Sequence, residues 1–304
     1  HYLKKNAARF GSPRLVCVLD SGAGNYEQLW LTSSLRGACA IDLNVRVLRQ
    51  GIHSGTASGV VPSSFDVLRI LLDRIQDPRT GAILDPAFNV EIPSNRMDDM
   101  KKTAEVLGDG FISEFPWAEG PNGSVQSRCR GTEEALIARC WKPTLSVTGA
   151  AGLPPLSMAG NSLRSDTTLR LSFRLPPTAK TENILPALQK KLLTDPPFNA
   201  VVSIAGGDAL PGWNAPSEAD WFRSACDESS KALWGKPAMR IGEGGSIPIL
   251  NLFEAQFPRA QFAVTGVLGP GSNAHNADES LDLAYTEKFI AAVGYLAASI
   301  PEEA

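Results

Sequence analysis

Two histidines lie inside this chain, His53 in "GIHSG" and His275 in "GPGSNAHNADE"; a third, His1, stands at the start. Both interior imidazoles sit in loops rich in small residues, the His275 loop adding asparagine and acid, so they read as displayed rather than walled into a core. Asp20 closes the short apolar run "RLVCVLD". A carboxylate and an imidazole together suit zinc. Two ligands fall short of a catalytic zinc site, which takes about three protein ligands and an open position. A turn-forming Asp and a surface His are the plain alternative. "GEGGSIP" sets three glycines around Glu243 and Ser246. Such a loop lets backbone N–H groups approach an anion, although an ordinary turn is the simpler explanation of the loop taken by itself. It lacks the lysine of a phosphate-binding loop, and no G-x-S-x-G occurs to mark a serine hydrolase. Arg174 stands inside the apolar "SFRLPP". A guanidinium there must pair or reach water, either on a substrate carboxylate or from an outward-facing strand position.

The elements that position these residues are legible in part. "RLVCVLD" predicts a buried strand whose end faces a cleft, because ligands gather at strand ends in α/β sheets. "SLRGACAIDLNVRVLR" alternates with a period of two, as does "TTLRLSFRLPP", and "TLSVTGAAG" and "FNAVVSIAG" read as further strands of a half-exposed antiparallel sheet. "SSFDVLRILLDRIQD" predicts a helix capped by Ser63 or Ser64, with Phe65, Leu68, Leu72 and Ile75 as its apolar stripe. "TENILPALQKKLL" predicts a second capped amphipathic helix. "SEADWFRSACDESSKALWG" predicts a helix ended by glycine, and "MRIGEGGSIPILNLFEAQF" a turn-rich loop followed by helical spacing. "AQFAVTGVLG" predicts a buried strand running into the His275 loop. "SLDLAYTEKFIAAVGYLAASI" predicts a long helix with Leu281, Leu283, Phe289, Val293 and Leu296 apolar. Residues 80–145 mix helix pieces with Gly/Pro-rich loops. The expected layout is an α+β sandwich, residues 37–208, inserted into an α/β domain formed by residues 1–36 and 209–304.

Bulk composition excludes several classes. The chain has 304 residues, 29 basic and 32 acidic, with a net charge of −3 and 43% hydrophobic content. The charges are well mixed, so no basic stripe points to nucleic acid. No apolar run reaches the roughly 18 residues of a membrane span. Five cysteines lie far apart with no C-x-x-C, which predicts reduced thiols and a cytoplasmic setting. The N-terminus has no signal-peptide core and no initiator Met; it reads as the tail of a helix, and the chain is expected to begin inside a larger protein.

Together the motifs resemble the aminoacylase/carnosinase-type co-catalytic zinc metallopeptidases. "VCVLDSG", "SLRGACAIDLNVRVLRQGIHSG", "LSFRLPPT", "GEGGSIP" and "GPGSNAHNADE" match in family order along nearly the whole chain. The resemblance implies a catalytic α/β zinc-peptidase domain, incomplete at its N-terminus, with an inserted lid that forms a homodimer. It implies that Asp20 holds one zinc and His275 the other of a two-zinc centre, with manganese or cobalt as substitutes. It assigns His53 to a partner subunit's active site, where it polarises the scissile carbonyl. Asn161 is a looser match to a second cross-subunit group. Arg174, Ser246 and the backbone at Gly244 and Gly245 would grip the substrate's carboxylate. The implied activity is amide hydrolysis of dipeptides, short peptides or N-acyl amino acids, as in dipeptidases, carboxypeptidases and aminoacylases.

Three departures stand out. The H-x-D motif, the metal-bridging Asp and the Glu-Glu pair of the family are missing, so the chain by itself is expected not to assemble a two-zinc site. Gly242 stands where dipeptidase relatives often carry Arg. "GWNAPSEAD" has no histidine. The competing reading is a truncated, non-catalytic homologue that acts as a dimerisation or binding module.

Overall fold

The computed structural model describes residues 2–302; His1 and the last two residues lie outside them. In chain order the main elements are β1 (Leu15–Val18), β2 (Trp30–Leu35), β3 (Gly37–Arg46), α1 (Ser64–Asp73), α2 (Ser94–Leu107), α3 (Thr132–Trp141), β4 (Thr144–Ala151), β5 (Asp166–Leu175), α4 (Ile184–Leu193), β6 (Val201–Leu210), α5 (Asp220–Trp234), β7 (Met239–Glu243), α6 (Ile249–Gln256), β8 (Gln261–Val264) and α7 (Leu283–Ala298). They form two compact units. The first holds His1–Leu35, Glu91–Trp141 and Trp213–Ala304; the second holds Arg36–Val90 and Lys142–Gly212.

This division departs from the expected insert of residues 37–208. Glu91–Trp141 groups with the first unit because its buried polar groups are satisfied there. Arg96 on α2, only 7% exposed, donates to Asn214 Oδ1 at 2.8 Å and to the Ala215 carbonyl at 2.7 Å. Thr103 donates to the Arg240 carbonyl at 2.8 Å. A buried guanidinium needs such partners.

In the first unit β1 runs parallel to β8, and β7 parallel to β2. β2 is buried along its whole length, so it shows no alternation and gives no periodic signal. β1 is more open than expected: Cys17 is exposed, and among the described residues its one partner strand is β8. Leu35, Trp213, Leu250, Phe257, Phe262 and Val264 form one core cluster. Gly235 ends α5 in the left-handed region at φ 79°, as the sequence predicts. α7 buries Tyr285, Phe289, Ala292 and Leu296, while Leu281 and Leu283 are exposed. The reason is local: Asp282 caps the helix by accepting from the Tyr285 N–H at 2.7 Å, so the apolar stripe starts after it.

The second unit is an antiparallel sheet in the order β6-β3-β5-β4. Cys39, Ile41, Leu43 and Val45 of β3 alternate into a core that includes Leu68 and Leu71 of α1 and Leu188 and Leu192 of α4. Ser63 caps α1, accepting from the Phe65 N–H at 3.2 Å. Phe65 itself is exposed, and Val67, Leu68, Leu71 and Ile75 make the buried stripe. On the other face Arg170 grips Asp42 through Nε and Nη2 at 2.7 and 2.8 Å. The unit is the two-layer α+β sandwich that the alternating strands predict.

Candidate active site

Asp20 and the His275 loop leave neighbouring parallel strands at the same end. Val18 pairs with Val264, and the Thr265 N–H donates to the Val18 carbonyl at 3.0 Å. Past the strands the chains stay together: Gly22 bridges Leu268 in parallel, and the Ala23 N–H donates to the Leu268 carbonyl at 2.9 Å. The Ser21 and Thr32 hydroxyls lie 2.5 Å apart, tying this turn to β2. The carboxyl ends of parallel strands are where α/β sheets build ligand sites.

The result is a cleft of about 510 Å³ within the first unit, lined by Asp20, His275, Glu243, Gly245 and Ser246 among others. The His275 loop needs its small polar residues for backbone reasons as well. Gly271, Asn273, His275 and Asp278 all have positive φ, 75°, 53°, 63° and 59°, a region that glycine enters freely and Asn, Asp and His enter more readily than most. The Ser280 N–H closes the loop on the Ser272 carbonyl at 2.9 Å, and Glu279 accepts from the His275 N–H at 3.3 Å. Tyr26 backs it: its hydroxyl donates to the Pro270 carbonyl at 3.2 Å, and its ring fills the space beside Gly269.

Three cleft residues were not singled out from sequence. Phe111, Glu114 and Arg139 come from the Glu91–Trp141 segment, which the sequence pattern places in the insert. Arg139 stands over the Phe111 ring, 4.7 Å from its centroid, and 3.8 Å from Glu243. Burial opposes its charge, but Glu243, Cys140 and Glu114 together raise its pKa above the ordinary guanidinium value. Burial raises the Glu114 carboxyl, and Arg139 partly offsets this.

The other expected site residues lie in the second unit. Ile52–His53 pairs with Ser162–Leu163, and the Ser54 N–H donates to the Asn161 carbonyl at 2.9 Å, so His53 and Asn161 sit side by side. His53 is exposed; its Nδ1 accepts from the Gly55 N–H at 3.1 Å. A neutral ring so held carries its proton on Nε2, as a donor. Arg174 is half-buried on β5, opposite Ala38 and Thr144 on the face away from the helices. Arg36 donates to Thr144 Oγ1 at 3.3 Å beside it.

Carboxylate and imidazole in the cleft fit a divalent metal by donor type. In number they fall short: among the described residues no three His, Cys, Asp or Glu side chains group so as to hold a metal ion. Nor is any helix among those residues long and apolar enough to cross a membrane.

No family model matches the chain. Individual proteins do. The cysteinylglycine-S-conjugate dipeptidase of Corynebacterium striatum is 25% identical over 259 residues, 83% of this chain and 52% of that protein. The Cys-Gly metallodipeptidase dug1 of Schizosaccharomyces pombe is 25% identical over 283 residues, 90% of this chain and 56% of its own. The dipeptidase Dug1p of Saccharomyces cerevisiae superposes with a TM-score of 0.78 at 21% identity, over 99% of this chain and 63% of that one. Human carnosine dipeptidase 1 superposes at 0.76 and 19%, over 98% and 62%. The chain spans about half the length of the curated relatives it matches. In sequence the chain is similar to these metallodipeptidases over most of its length, and it shares the fold of Dug1p and carnosine dipeptidase 1 over nearly all of it.

Proposed function

We propose that this protein is a metal-dependent dipeptidase that hydrolyses the amide bond of dipeptides or N-acyl amino acids. The observation that carries the reading is the meeting of Asp20, His275, Gly245 and Ser246 in one cleft. Asp20 and His275 would each hold one ion of a zinc pair, with manganese or cobalt as substitutes; the bound metal supplies an activated water at neutral pH. The chain's own groups do the rest. Ser246 and the backbone at Gly244 and Gly245 receive the substrate carboxylate. Glu243 and Glu114 give the cleft a negative wall that favours a free ammonium group. His53, a donor through Nε2, serves the scissile carbonyl of a second copy, with Asn161 beside it. That copy pairs through the second unit. β4 is an edge strand, "TLSVTGAA", exposed over most of its length and without a charge or proline to block pairing. Five free cysteines support a cytoplasmic setting.

A second reading, a non-catalytic dimerisation module, is favoured by the lack of a three-ligand cluster among the described residues. One experiment separates the two. Protein expressed from the complete reading frame is assayed for bound metal and for hydrolysis of a panel that includes Cys-Gly and β-Ala-His, the substrates named for its relatives. Chelator-sensitive hydrolysis is expected. A metal-free protein inactive on the whole panel, yet dimeric, establishes the second reading instead.

A further inference from the structure

The end of β7 is held from the side by α3. The Cys140 thiol donates to the Gly242 carbonyl at 2.9 Å, and Arg139 Nη2 reaches the same oxygen at 3.4 Å. Gly242 has no room for a side chain: a Cβ there would lie 2.8 Å from both Cys140 Cβ and Ser34 Oγ. α3 therefore abuts the backbone at the point where the "GEGGS" loop leaves its strand. Position 242 admits no side chain, and Arg139 brings a guanidinium from α3 to its carbonyl.

Arg139 differs from Arg170 and Arg240 in how it meets its carboxylate neighbour. Elsewhere in this molecule arginines grip carboxylates through Nε and Nη2 together: Arg170 holds Asp42 at 2.7 and 2.8 Å, and Arg240 holds Glu218 at 3.0 Å through each nitrogen. On Arg139 the Nε is buried without a hydrogen-bond partner, and Nη2 stands 3.8 Å from Glu243 Oε2. The Phe111 ring lies against the guanidinium, its centroid 4.7 Å from the central carbon, in a cation–π contact. An oriented fork beside a carboxylate gives that carboxylate a preferred place. Among the described residues Arg139 is the one arginine or lysine lining the cleft, against Asp20, Glu114 and Glu243, so no other cation does this.

We propose that Arg139 is a positioning residue: it places the Glu243 side chain and, through it, the Gly244–Ser246 loop at the cleft wall. Its consequence for substrate binding rests on the dipeptidase reading, which sets that loop against the substrate; its consequence for the loop does not.

The test uses the whole protein with Arg139→Lys, Arg139→Gln, Glu243→Gln and the double variant Arg139→Gln/Glu243→Gln. Amide hydrogen exchange over residues 242–247 is expected to speed up about tenfold in Arg139→Gln and to recover in part in Arg139→Lys, with the rest of the first unit unchanged. Unaltered exchange in that loop overturns the proposal. For a dipeptide substrate, KM is expected to rise about tenfold in Arg139→Gln with kcat within about threefold, and the same change made in Glu243→Gln is expected to add nothing. An equal loss in both backgrounds overturns the route through Glu243. A wild-type protein that cleaves no dipeptide removes the dipeptidase reading and leaves the exchange measurement to decide on Arg139.

Discussion

Gly266→Ala is the substitution that most directly links the fold to the cleft. Gly266 lies behind Ser21, one residue beyond Asp20. A Cβ at Gly266 would fall 1.6 Å from the Ser21 carbonyl oxygen, 2.5 Å from its carbon and 2.9 Å from its nitrogen. Real Cβ contacts essentially never fall below 3.0 Å, so the two backbones must part by at least about 1.4 Å along the closest line. Neither side is free to give. The Thr265 N–H is bonded to Val18, and Thr265 Oγ1 donates to the buried Trp30 carbonyl at 2.6 Å. Ala23 is bonded to Leu268, and Ser21 to Thr32.

Overpacking a core typically costs about 1–3 kcal/mol when side chains can adjust. Here the obstacle is backbone on both sides, so about 3 kcal/mol of unfolding free energy is expected to be lost. Displacing Asp20 by more than an ångström is expected to lower dipeptide turnover about 10²-fold. Urea unfolding and, in protein from the complete reading frame, dipeptide turnover check the two expectations. Gly245→Ala is the control: its Cβ meets nothing within 4 Å, so stability is expected to stay within about 0.5 kcal/mol. A Gly266→Ala protein with the wild-type midpoint and unaltered turnover refutes the packing argument.

Arg240→Ala is expected to cost about 3–5 kcal/mol, because the buried guanidinium holds Glu218 through two nitrogens and Asp227 at 2.9 Å; an unfolding midpoint close to wild type argues against it. Asp99 has its pKa raised, first by burial, with Arg96 offsetting only part. Folding thus favours the neutral carboxyl: its stabilising contribution is full below the ordinary value near 4 and fades as pH rises through the elevated folded value. Asp99→Asn is expected to remove that loss, so the stability difference between variant and wild type should move in the variant's favour from pH 3 to 7, and an opposite trend in urea unfolding contradicts it. In protein expressed from the complete reading frame, and on the proposed dipeptidase function, His53→Ala is expected to reduce turnover about 10²–10³-fold, as for a lost oxyanion donor, with metal content unchanged; normal turnover removes His53 from the mechanism.

Much of the second unit was legible because its strands have one wet face. β3 shows a period of two as Cys39, Ile41, Leu43 and Val45 turn inward, and that pattern survives in sequence. β2 and β7 were not legible. β2 is buried on both faces, and β7 is five residues long and runs into the glycine loop, so neither offers a period to read. The helix stripes on α1 and α7 came out displaced at Phe65, Leu281 and Leu283, where capping by Ser63 and Asp282 sets the helix start and hence which residues face inward. The Glu91–Trp141 segment was the largest loss. Its attachment depends on Arg96 finding Asn214 and the Ala215 carbonyl, and on Thr103 finding the Arg240 carbonyl. Those partners lie more than a hundred residues away, and no local pattern announces them.

The same loss explains why the cleft's cation went unnoticed. From sequence, "GEGGS" asks for an anion and "SNAHNAD" for a metal, and each was weighed against an ordinary turn. The structure shows that the two explanations do not compete at His275: left-handed backbone at Asn273, His275 and Asp278 already requires small or polar residues, and the same loop carries the imidazole to the cleft. Composition therefore could not separate turn from site. What separates them is convergence. Loops after β1, β7 and β8 and the end of α3 arrive at one cavity, and turns formed for backbone reasons alone have no cause to do so.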